Sequence, residues 1–137
     1  MTHSTSIRPT PFLRRVLFAD AGISAAVGAL MAAGAGPLQR LTGLPATLLI
    51  PAGLALLPYA AYLVWAATRP TLPRAAVWVP IVLNGLWAVD CALVAFGSLY
   101  APNAVGLAFL AVQTVTVIAF AELELIGLRR APAALAG

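Results

Sequence analysis

The chain has 137 residues, 62% of them hydrophobic and 9% charged, with a mean hydropathy of +0.98. A water-soluble domain carries about 25% charged residues, so this composition excludes a protein wetted on all sides and fits one whose outer surface faces lipid. The net charge of +4 comes from eight arginines spread over the ends of apolar segments, not gathered in a patch; that distribution argues for a topology signal and against nucleic acid as a partner.

A membrane span needs about 20 mostly apolar residues, and the chain offers four. After a polar N-terminal tail over residues 1–15, the first span covers about 16–36 and ends at Pro37. It has some features of a cleaved signal peptide, with arginines before it and Ala33-Gly34-Ala35 near its end, but Asp20 interrupts what would be the apolar core, so a retained helix is expected. Gly22, Ala26, Ala29, Ala33 and Gly36 recur at helical spacing and read as its packing stripe.

The second span covers about 44–68 and carries Pro51 and Pro58, seven residues apart and therefore near one face. Proline in a membrane helix bends it where neighbours satisfy the freed carbonyls; either a static kink or a cavity-lining hinge is expected. The third span covers about 75–98 and the fourth about 104–128, closed by Arg129-Arg130. The connections Leu38–Gly43 and Leu99–Asn103 are short, which makes consecutive spans antiparallel neighbours. No strand is expected.

Together these spans predict an all-α fold: one integral membrane domain over residues 1–137, built as an antiparallel bundle of four transmembrane helices. Seven arginines (Arg8, Arg14, Arg15, Arg69, Arg74, Arg129 and Arg130) fall on one side of that arrangement and Arg40 alone on the other. The positive-inside rule then puts both termini in the cytoplasm, in a cell inner (plasma) membrane. Trp65, Trp78 and Tyr100 fit interfacial aromatic positions, whereas Trp87 belongs deep in the bilayer. The two halves align weakly as a 2+2 repeat, with Asp20 against Asn84 and Leu57-Pro58-Tyr59-Ala60 against Ile118-Ala119-Phe120-Ala121.

All four acidic residues lie within the spans. Counting about 1.5 Å per residue from the helix ends brings Asp20, Tyr62, Asn84, Glu122 and Glu124 into one layer of the cytoplasmic half. Glu122 and Glu124 are two apart and point about 200° from one another, so only one faces the interior; Glu122 is the one expected to reach the headgroups. Asp20 and Glu124 are shallow enough for Arg15 and Arg129 to neutralise them. Asp90 is deeper, about 12–14 Å from the outer side by the same rise. A central carboxylate costs about 2.5–3.5 kcal/mol on insertion scales, so Asp90 is expected to face the bundle interior with Gln113 as its hydrogen-bond partner. Asp90, Gln113, Asn84, Asp20 and Glu124 are the candidate residues for a proton or ligand site.

Several chemistries lack their residues. Cys91 is the one cysteine and His3 the one histidine, so no disulfide, zinc site or bis-histidine haem follows, and no metal or cofactor is expected. Cys91 has no base in its own span, and Ser24, Ser98 and the threonines read as ordinary helix or loop residues; no catalytic residues and no enzyme activity are expected.

Three segments carry a family resemblance: Phe18-Ala19-Asp20-Ala21-Gly22-Ile23-Ser24, Leu83-Asn84-Gly85-Leu86-Trp87, and Phe120-Ala121-Glu122-Leu123-Glu124 with Gly127-Leu128-Arg129-Arg130. With them the chain resembles small bacterial four-span integral membrane proteins of uncharacterised function. The resemblance covers nearly the whole chain and implies a four-helix bundle in the membrane and no catalytic residues. Asp20 also invites comparison with the first-span carboxylate of small multidrug-resistance transporters, but the arginine bias opposes insertion in both orientations. The function expected first is a non-enzymatic bundle that binds lipid or a membrane partner, either a second copy of the chain or another protein. The alternative is a small oligomeric transporter coupled to protons or cations through its intramembrane carboxylates.

Overall fold

The structure, a computed structural model, describes residues 5–134. Its order is β1 (Ser6–Ile7), α1 (Pro11–Ala33), α2 (Ala35–Thr42), α3 (Ala46–Ala67), β2 (Leu72–Pro73), α4 (Arg74–Phe96) and α5 (Ala104–Arg130). The fold is helical, and α1, α3, α4 and α5 are each long and apolar enough to cross a membrane.

Local chemistry sets the helix ends. Thr10 caps α1, its hydroxyl accepting from the Leu13 amide at 3.2 Å, and Pro11 supplies a first residue that needs no hydrogen-bonded N–H. Gly34 breaks the chain into α2, a short helix where a loop is expected from sequence. Gly43 then ends α2 in the left-handed conformation at φ 75°, which a side chain would strain. Asn103 caps α5 by accepting from the Gly106 amide at 2.9 Å, while its own amide group donates to Leu41 O at 2.9 Å. The end of α2 and the start of α5 are thereby fastened together.

The spans pack as two pairs, α1 on α3 and α4 on α5. Contacts between the pairs run mainly through α1 and α5, and α3 and α4 barely touch. The α1–α3 crossing is a backbone contact at Gly28 and Gly53: a Cβ on Gly53 would lie 2.6 Å from Gly28 O, and one on Gly28 would lie 2.8 Å from Gly53 O. The packing face of α1 is Leu13, Leu17, Asp20, Ala21, Ser24, Gly28 and Met31. This corrects the expected stripe: Gly22, Ala26, Ala29, Ala33 and Gly36 are all exposed. Small residues were a poor guide because alanine is frequent on every face of this helix. Pro51 and Pro58 also lie on the exposed side of α3, and neither lines any of the three cavities described below.

Two short strands correct the expectation of none. Ser6 and Ile7 pair antiparallel with Pro73 and Leu72, and Ile7 forms a further bridge to Ala133. Arg8 N donates to Pro132 O at 2.9 Å, and Arg74 N to Thr5 O at 2.7 Å. Ile7 and Leu72 are fully buried there, in a core shared with Leu13, Leu17, Leu63, Val77 and Leu128. The described segments before α1, between α3 and α4, and after α5 thus close one end of the bundle. Two residues a side are too few to nucleate a strand pattern in sequence. Arg14 adds to this end by donating to Ala67 O at 2.8 Å, where it meets an orphan carbonyl of the last turn of α3.

Candidate functional site

Four helices contribute to one buried polar cluster. Asp20 (α1), Asn84 (α4) and Glu124 (α5) have fractional exposures of 2%, 3% and 0%, and Ser24 and Tyr59 border them. The Asn84 amide nitrogen donates to Asp20 Oδ2 at 3.0 Å and to Glu124 Oε1 at 2.9 Å. Tyr59 donates its hydroxyl proton to Asp20 Oδ2 at 2.9 Å, and Ser24, one turn along α1, donates to Asp20 Oδ1 at 3.1 Å.

Counting donors separates the two carboxyl groups. Asp20 accepts three hydrogen bonds, from Ser24, Tyr59 and Asn84. Glu124 accepts one, and its Oε2 is buried with no donor among the described residues. An amide nitrogen carries two protons, and Asn84 spends one on each carboxyl group. No arginine enters this set. Arg15 and Arg129 are exposed and donate to neither carboxylate, so the expected neutralisation by arginine is replaced by neutral donors.

The layer differs from expectation at one position. Tyr62 donates to Ala76 O at 2.6 Å and stands outside the cluster; Tyr59, one turn deeper on α3, takes its place. Ser24, ordinary by sequence, is also a member. Counted from the end of α3, Tyr59 matches the depth of Asn84 better than Tyr62 does, and that was the available signal. Glu122 is exposed.

The second expected pair does not form. Asp90 is exposed on α4 and has no hydrogen bond or ion pair among the described residues. Gln113 instead accepts from Trp87 Nε1 at 2.9 Å. The reason lies in the helix arrangement. Because α3 and α4 do not close on one another, the face of α4 that bears Asp90 borders a cleft and not a packed interior. Cavities of about 300 and 250 Å³ occupy this region, a second of about 180 Å³ lies between α1 and α5, and Trp87 lines all three. The largest is lined by Met31, Leu48, Leu49, Ala52, Trp87, Asp90, Cys91, Phe109 and Gln113 among others. Asp20 and Ser24 border the second, and Tyr59, Asn84 and Asp90 the third. No group of three or more His, Cys, Asp or Glu side chains arranged to hold a metal occurs among the described residues; His3 lies outside them.

Comparison of the chain with protein-family models, curated proteins and solved structures gave no match.

Proposed function

We propose that this chain is a multi-pass protein of a bacterial inner membrane, with both termini cytoplasmic, and that it works as a non-enzymatic bundle binding an apolar molecule, a lipid chain or the greasy part of a membrane partner, between its two helix pairs. The observation that carries this reading is the cleft: α3 and α4 stand apart, and the space between the pairs is bordered mainly by apolar side chains. Sites for small molecules run from about 300 Å³ upward and are mostly apolar with a few polar groups. The buried cluster serves this reading as a clamp, since Asn84 ties α4 to both α1 and α5 and Tyr59 ties α3 to α1. The arginine bias supports the orientation. The 2+2 repeat fits the two-pair packing, with Asp20 and Asn84 as equivalent positions that meet between the halves.

Native mass spectrometry of the detergent-purified protein tests the binding reading. Retained lipid or another apolar molecule, lost from a folded Ala52→Phe variant that fills the largest cavity, supports it. A parent protein that retains nothing, or equal retention in both, overturns it.

A second reading, a proton- or cation-coupled oligomeric transporter, is favoured by one observation, two buried carboxyl groups joined through Asn84 beside cavities that Asp20 and Asn84 border. Proton flux in proteoliposomes that is lost in Asp20→Asn would replace the first reading with this one.

A further inference from the structure

The polar groups of the cleft point to the chemistry of its occupant. Gln113 is nine-tenths buried, at 9% exposure, and lines two of the cavities. Its orientation is fixed by Trp87, because the indole N–H only donates and must meet the amide oxygen. The Gln113 nitrogen is then left with two protons and no acceptor among the described residues, and it is not sealed within packed atoms. Asp90 lines the same largest cavity and carries acceptor oxygens with no donor.

An intramembrane carboxylate without a partner is costly, and an occupant that brings the missing donor removes that cost. Cations are the strongest donors to a carboxylate. The remaining wall, including Met31, Leu49, Cys91, Phe109 and Leu110, accepts only an apolar body.

We propose that the cleft binds a lipid-soluble amine, its ammonium group on Asp90, an oxygen acceptor where it has one on the Gln113 amide nitrogen, and its apolar body in the cavity beside Cys91. The proposal rests on the cleft reading above and adds the polarity and charge of the occupant. A neutral lipid chain would leave both Asp90 and Gln113 unsatisfied, and an anionic one would be repelled by Asp90.

Three isosteric probes separate these cases: 1-adamantylamine, 1-adamantanol and 1-adamantanecarboxylate, titrated into the detergent-solubilised protein. Trp87 reports binding by its fluorescence after Trp65 and Trp78, both exposed, are replaced by phenylalanine. The amine is expected to bind about tenfold or more tightly than the alcohol, with the carboxylate weakest. Asp90→Asn is expected to bring the amine and the alcohol to similar affinity; it touches no other side chain by hydrogen bond, so the fold is retained. Gln113→Leu is expected to weaken the alcohol and leave the amine preferred. Equal binding of amine and alcohol, or an amine preference that survives Asp90→Asn, overturns the assignment of the amine while the cleft reading stands. Failure of all three probes to bind overturns both.

Discussion

Two polar sites lie about 9 Å apart along α4, six residues at the usual rise, and they meet the bilayer in opposite ways. At Asn84 four helices meet in one network: Asp20, Tyr59, Asn84 and Glu124 are joined by hydrogen bonds inside the bundle. At Asp90 the pairs stand apart, and the carboxylate borders a cleft without a partner. A polar group within a membrane is made tolerable by donors from its own chain or by donors from something bound. The first site uses the former; for the second we propose the latter. On that proposal the closed site sets stability and the open site sets what is bound.

This contrast breaks first at Asn84. Asn84→Leu leaves both carboxyl groups without the donor they share, and unfolding in a denaturing-detergent titration is expected about 3 kcal/mol less stable. A loss below about 0.5 kcal/mol would mean that the cluster is not a clamp. Gln113→Leu is expected to cost about 1 kcal/mol in the same titration, since it orphans only the Trp87 indole N–H. It should also shift Trp87 fluorescence. Asp90→Asn is expected to be no less stable than the parent, since it removes a carboxylate that has no partner among the described residues. A loss as large as that of Asn84→Leu would erase the distinction between the two sites.

The sequence made depth legible and direction less so. Counting from helix ends places Asp20, Asn84 and Glu124 in one layer, because rise per residue is nearly constant, and the structure joins them. The azimuth of a helix is set by its neighbours. Alanine and leucine on all sides of α1 therefore hid the face that carries Ala21, Ser24 and Gly28, and only a finer depth count separates Tyr59 from Tyr62. Asp90 shows the same gap for another reason. The expectation that a costly carboxylate turns inward assumes that all four helices close around a core, and α3 and α4 do not. The small sheet at the end of the bundle was invisible because its pairing depends on three chain segments meeting. The arginines read as a topology signal, but Arg14 also serves the fold by holding the last turn of α3.

The central claim is that the closed site is a clamp that rests on Asp20, which accepts three hydrogen bonds, more than on Glu124, which accepts one. Paired unfolding titrations of Glu124→Gln and Asp20→Asn test it most directly. Glu124→Gln keeps an oxygen for its one donor and is expected within about 0.5 kcal/mol of the parent, whereas Asp20→Asn sets an amide against three donors and is expected to cost about 2 kcal/mol. The reverse order, or equal losses, would contradict the claim.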